Sequence, residues 1–141
     1  MIPRVEDIMT KDVVTVKTGT TIREAARIMR DHDIGALIVV TNGKPVGIIT
    51  ERDLVRRVVA EDLTLQTKVE EVMSKPVLTV SPELPVTSAL DIMMDHGIRR
   101  LAVTDSSGNL VGIISIRDFV KRWARFIDLF GRYWFVLELR R

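Results

Sequence analysis

Cysteine is absent from this chain of 141 residues. That removes disulfides, thiolate nucleophiles, thiolate zinc sites and thiol redox switching together. Histidine is nearly absent: His32 and His96 are the only two, so a metal or acid–base centre built on imidazole would have to use both. No stretch of about 18 or more uncharged apolar residues occurs, so no membrane-spanning helix is expected. Met1-Ile2-Pro3-Arg4 has no apolar run behind it that could act as a secretory signal, and a cytoplasmic location is the default expectation. Net charge is small, +2 at pH 7. The excess leans towards the C-terminus, from Arg117 and Lys121 to Arg140 and Arg141. A basic tail can attract nucleic acid or an acidic membrane, and it serves equally as a solvated helix face. A Walker loop, clustered histidines and paired acids beside a nucleophile are all missing, so no catalytic residues, metal ligands or enzymatic activity are expected.

What the chain has is repetition. Val5-Glu6-Asp7-Ile8-Met9-Thr10-Lys11 returns as Val69-Glu70-Glu71-Val72-Met73-Ser74-Lys75, at a shift of 64. Ala25, Ile28, Met29, Asp31 and His32 return as Ala89, Ile92, Met93, Asp95 and His96. One inserted residue near Ser107 then moves the shift to 65, and Val46-Gly47-Ile48-Ile49-Thr50 faces Val111-Gly112-Ile113-Ile114-Ser115. A unit of about 55–60 residues has been duplicated, too small to be very stable alone.

Each copy reads as β-α-β-β-α. Val13 to Val16 is β-rich. Thr21-Ile22-Arg23-Glu24 has the form of a capping box, and apolar residues follow it at helical spacing. Pro85 takes the place of Thr21 in copy two and is tolerated at a helix start. The helices end near His32 and at Gly97, where a histidine in the last turn suits the negative end of the dipole better than a metal. Ala36 to Val40 is a buried-strand sequence, Asn42-Gly43 a hairpin signal, and Val46 to Ile49 the return strand, with a second helix opening at Thr50. Two such units can stack sheets and helices across a pseudo-two-fold axis. The class is α/β in composition, more strictly α+β.

The segment from Gly47 to Asp53 recurs from Gly112 to Asp118 as strand, hydroxyl residue, then helix with aspartate three places on. A helix N-cap with an acid in the first turn accounts for this spacing. So does a nucleotide site: free N–H groups attract phosphate, an aspartate accepts from both hydroxyls of a ribose, and the glycine lets a ligand approach the backbone. The residues alone leave both readings open.

The duplicated unit ending in Gly-x-x-Thr/Ser-x-x-Asp resembles the CBS (cystathionine β-synthase) domain, and two copies resemble a Bateman module of the stand-alone archaeal and bacterial type. The resemblance covers residues 5 to about 124 and implies domains at 1–64 and 65–124, with an extension at 125–141. It implies two crossed clefts between the repeats. The first would hold Thr50, Arg52 and Asp53 opposite Leu78, Ile98, Arg99 and Arg100; the second would hold Ser115, Arg117 and Asp118 opposite Val14, Ile34, Gly35 and Ala36. On this reading the first cleft is the phosphate-binding one, because arginine presents its donors as a fixed fork. The implied ligand is an adenine nucleotide, AMP foremost, with ADP, ATP and S-adenosylmethionine as rivals. The implied function is regulatory, exerted on a protein partner that the sequence does not identify.

All seven aromatic residues lie between Phe119 and Phe135. Phe119, Trp123, Phe126, Ile127 and Phe130 keep helical spacing, so 125–141 is expected to continue as an aromatic helical extension. Three uses compete: covering the module's own core, pairing with a second subunit, and docking on another protein. Pairing is favoured, which together with the resemblance implies a homodimer in contact through Trp123 to Leu137. Interleaved basic and aromatic residues can bind single-stranded nucleic acid, but the core-like spacing argues against that partner.

Overall fold

The computed structural model describes residues 2–124; the extension at 125–141, and with it most of the segment expected to join two subunits, lies outside the described residues. The two repeats appear as two three-stranded sheets, in an α+β arrangement. In repeat one, β1 (Thr15–Lys17) pairs in parallel with β2 (Ala36–Thr41), which pairs antiparallel with β3 (Lys44–Thr50). In repeat two, β4 (Thr79–Val80), β5 (Arg100–Thr104) and β6 (Leu110–Ser115) repeat the order and the directions. Each parallel pair is bridged by a helix, α2 (Ile22–His32) or α4 (Val86–His96).

Local chemistry explains the boundaries. Thr21 Oγ1 accepts from the Glu24 N–H at 3.2 Å and starts α2. Asp33 and Gly97 end α2 and α4 in the left-handed conformation, at φ 51° and 62°. The Nδ1–H groups of His32 and His96 donate to the Ile28 and Ile92 carbonyls at 3.0 and 2.9 Å, which fixes both rings in a local helix-terminal role. Asn42 and Gly43 make the hairpin turn, both with positive φ. Two boundaries differ from the sequence pattern. β1 begins at Thr15 rather than Val13, because Val13 and Val14 turn to line a cavity before the ladder starts. The helix opening at Thr50 runs as α3 (Glu51–Asp53) for one turn and then widens to a π-helix over Leu54–Val59, where the Ala60 N–H reaches back five residues to the Val55 carbonyl. Its counterpart in repeat two, α5, spans residues 116–124.

The N-terminal segment of each repeat is exchanged. Val5, in α1 (Val5–Ile8), is fully buried in the core of repeat two with Val80, Ala89, Met93 and Leu101. Val69, Val72 and Met73 are buried in the core of repeat one with Ile22, Leu37 and Ile49. The backbone exchange is symmetric: the Val86 N–H donates to the Pro3 carbonyl at 3.0 Å and Ile22 to Thr67 at 2.8 Å, while Val5 donates to Leu84 at 2.8 Å and Val69 to Thr20 at 2.9 Å. Each half therefore lacks part of its core without the other.

This exchange accounts for the paired strand glycines. A Cβ at Gly112 would lie 2.5 Å from Met9 Sδ and 3.1 Å from the Thr10 carbonyl oxygen; one at Gly47 would meet the Met73 side chain, with Cγ 2.8 Å away. The space beside each glycine is thus filled by a methionine of the exchanged segment, not kept open for a ligand. Gly112→Ala is expected to destabilise the fold by ~1–3 kcal/mol, the usual penalty of overpacking. Urea denaturation measures it, and Met9→Ala in the same chain should recover part of the loss.

Candidate functional site

Both hydroxyl–aspartate motifs cap a helix, and their surroundings differ. In repeat one, Asp53 Oδ2 accepts from the Thr50 N–H at 3.0 Å and Thr50 Oγ1 accepts from the Asp53 N–H at 3.1 Å. The second carboxylate oxygen faces Arg57 Nε at 3.6 Å, and Arg57 also donates to the Val72 carbonyl at 3.0 Å. Asp53 is only 8% exposed. In repeat two, Asp118 Oδ2 accepts from the Ser115 N–H at 2.8 Å and from the Ser115 hydroxyl at 3.1 Å. Its other oxygen accepts from the Thr10 hydroxyl at 3.2 Å. Thr10 is delivered by the exchanged segment, through paired backbone bonds with Ile113 at 2.9 and 3.0 Å. A neutral, rotatable hydroxyl is a weaker competitor for a carboxylate than a guanidinium.

Asp118 opens onto a cavity of ≈ 870 Å³ built by both repeats. All seven residues assigned from sequence to the second cleft line it: Val14, Ile34, Gly35 and Ala36 from repeat one, and Ser115, Arg117 and Asp118 from repeat two. Thr50, Arg52, Asp53, Leu78 and Ile98 of the first cleft do not. Arg99 and Arg100, which the family resemblance sets opposite Asp53, line the Asp118 cavity. Sheet register is the reason: Arg100 opens β5 directly across from Ser115, and the Ile116 N–H donates to the Arg99 carbonyl at 3.0 Å, so both arginines stand at the strand edge from which α5 departs.

Glu51, Thr10, Asp12, Asp33 and Lys121 also line the cavity and were not singled out from sequence. A signal existed for Thr10, since a hydroxyl follows the methionine in both copies, Met9-Thr10 and Met73-Ser74. Burial, then the charges of Arg99 and Arg117, lower the pKa of the Arg100 guanidinium, with Glu51 working in the opposite direction. None of the ion pairs among the described residues involves Arg99, Arg100 or Arg117. The cavity thus holds a hydroxyl-rich carboxylate near crowded guanidiniums and between aliphatic walls. Among the described residues no group of three or more His, Asp or Glu is arranged to hold a metal ion, and no helix is long and apolar enough to cross a membrane.

The profile of the CBS domain matches residues 5–60 and 69–125. An uncharacterized 17.7 kDa protein of Acidianus ambivalens is 43% identical over 122 residues, which span 86% of this chain and 73% of that one. The CBS domain-containing protein YhcV of Bacillus subtilis is 41% identical over 114 residues, 81% of each chain. The solved CBS domain pair of protein MJ0100, in complex with 5′-methylthioadenosine and S-adenosyl-L-methionine, has a TM-score of 0.79 at 31% identity, covering 88% of this chain and 98% of that one.

Proposed function

This chain belongs to the CBS domain family, as a tandem pair, and from that premise we propose that it is a non-catalytic regulatory module whose adenosyl ligand binds in the cavity beside Asp118. The observation that carries the reading is the make-up of that cavity: Asp118, able to accept from a ribose diol, shares it with Arg99, Arg100 and Arg117. Of about four acceptor sites on the Asp118 carboxylate, the Ser115 N–H and the Ser115 and Thr10 hydroxyls take three; one is open to a ribose hydroxyl, and rotation of the Thr10 hydroxyl frees a second for the diol. Val14, Ile34, Ala36 and Ile113 offer an aliphatic slot for the adenine. The adenosyl ligands of the MJ0100 pair support the class of ligand.

Within that class the arginines favour a phosphorylated member, AMP foremost. Burial and mutual repulsion raise the energy of the charged Arg100, and an anion among the three guanidiniums offsets both. ADP and ATP share the recognised groups; S-adenosylmethionine and 5′-methylthioadenosine offer the ribose without the phosphate. Because both repeats line the cavity, a ligand there couples them, and its differential affinity for their arrangements is what would reach a protein partner.

A thermal-shift screen with AMP, ADP, ATP and S-adenosylmethionine ranks the ligands, since one that binds only the folded state raises the melting temperature. Asp118→Ala is expected to cost roughly 1.5–3 kcal/mol of AMP binding, the usual worth of hydrogen bonds to a charged acceptor. Asp53→Ala, measured the same way by calorimetry, should leave that site nearly unchanged. Equal affinity in the parent and in Asp118→Ala would remove the assignment to this cavity.

A further inference from the structure

Glu51 lines the Asp118 cavity, although its carboxylate takes no part in the Thr50–Asp53 cap beside it. The Glu51 N–H donates to the Gly35 carbonyl at 3.0 Å. In repeat two Ile116 holds the equivalent place and donates to the Arg99 carbonyl, also at 3.0 Å, while Ser115 and Asp118 close their own cap. An acid in the first helical turn is favourable against the dipole, yet the second copy caps its helix without one at this position.

Gly35 and Arg99 are counterparts in the same way, at the shift of 64. Gly35 does not adopt a positive φ, so its backbone does not call for glycine. A Cβ there would lie 3.4 Å from Glu51 Cδ and 3.5 and 3.6 Å from the two carboxylate oxygens. The Glu51 carboxylate therefore stands over the Gly35 backbone, on the side from which a side chain would grow. Repeat two lines the cavity with the Arg99 side chain, and repeat one sets a carboxylate against the equivalent position. The cavity is polarised as a result. The charge of Glu51 acts on Arg100, opposing that of Arg99 and Arg117. None of the ion pairs among the described residues includes Glu51. Asp12 and Asp33 also line the cavity.

We propose that Glu51 is a specificity-determining residue that restricts the ligand to a single phosphate, so that AMP is preferred to ADP and ATP. The proposal rests on the reading that the phosphate seats among Arg99, Arg100 and Arg117. A monophosphate there meets the guanidiniums, and each further phosphate brings more negative charge within range of the Glu51 carboxylate. In a partly desolvated cavity a like-charge pair at about 8 Å lowers affinity by roughly tenfold. Glu51 is exposed, so added salt screens part of the effect and should narrow the preference.

The test is calorimetric titration of the full chain with AMP, ADP and ATP, with divalent cations chelated so that the phosphate charge is not masked. The parent is expected to bind AMP about tenfold or more tighter than ATP. Glu51→Gln should raise ATP affinity by about tenfold and AMP affinity by less than about threefold, with ADP between. Glu51→Ala, which cannot donate to a phosphate, should shift the order in the same direction. Asp33→Asn, which removes a different cavity carboxylate and suits the left-handed backbone at that position, should keep the parent order. Melting temperatures without ligand should be close to the parent's for all three variants, since both side chains are exposed. A parent that binds ATP as tightly as AMP would overturn the proposal, and so would equal gains for the three nucleotides in Glu51→Gln. A gain in Glu51→Gln that is missing from Glu51→Ala would trace it to a new hydrogen bond and not to the lost charge. An equal shift in Asp33→Asn would assign the effect to the summed charge of the cavity; either result also overturns the proposal. Failure of the parent to bind any of the three nucleotides would instead remove the phosphate site itself, and the proposal with it.

Discussion

Replacing Arg99 and Arg100 together with alanine is expected to lower AMP affinity by about a hundredfold or more while changing adenosine affinity by less than about threefold. A hydrogen bond to a charged group is worth ~1.5–3 kcal/mol, so two of them lost from one phosphate come to ~3 kcal/mol or more. The effect is placed at the Asp118 cavity because both side chains line it, beside Arg117. Folding should not be the casualty. Neither arginine takes part in an ion pair among the described residues, and Arg100 is under like-charge repulsion from its neighbours, so the double variant should melt no lower than the parent. Calorimetric titration with AMP and with adenosine, on parent and variant, separates the phosphate contribution from the ribose one. Parallel losses for both ligands would mean that the arginines shape the cavity without touching phosphate. An unchanged AMP affinity would place the phosphate elsewhere.

The second large effect is on stability, and it appears in the half of the protein that sequence distance would not suggest. Val5→Asp is expected to cost ~4 kcal/mol or more, because an unpaired carboxylate in an apolar core must either stay charged at high cost or take up a proton. The milder Val5→Ala removes about two methylene equivalents and leaves a small cavity, for ~2 kcal/mol. Val5 has no exposure and belongs to the core of repeat two. Amide hydrogen exchange on Val5→Ala should therefore show β4, β5 and β6 losing protection more than β1, β2 and β3. Val69→Ala should show the reverse, since Val69 is buried in the core of repeat one. If each substitution loosened only the strands that follow it directly in sequence, the exchanged packing would be refuted.

Much of this architecture is readable without coordinates because it is written in short-range chemistry. The threonine at position 21, the glycine at 97, the Asn42-Gly43 pair and the short β-branched runs each act within a few residues, and each element they predict is present. The duplication was legible for a related reason: a copied unit must satisfy the same local rules twice. Even the hydroxyl–aspartate pairs could be located, since a cap and its carboxylate are three residues apart. The π-helical turn was not, because its five-residue hydrogen bonding leaves no distinct apolar period in so short a segment.

The pair of CBS repeats, their element order and the two recurring motifs can be read from the sequence alone. How the two copies differ depends on their packing. Asp53 is followed four residues on by Arg57, and Asp118 by Arg122, so the two motifs look alike on paper. Only the first of these pairs closes among the described ion pairs, with Arg57 also held by a carbonyl of the segment donated from repeat two. The other aspartate meets a threonine 108 residues away and shares its cavity with Arg99 and Arg100. The physical reason is that a side chain's partners are set by which surfaces pack across the pseudo-two-fold, and those contacts join residues far apart in the chain. Local propensity around the two motifs is similar; burial, charge and available partners are not.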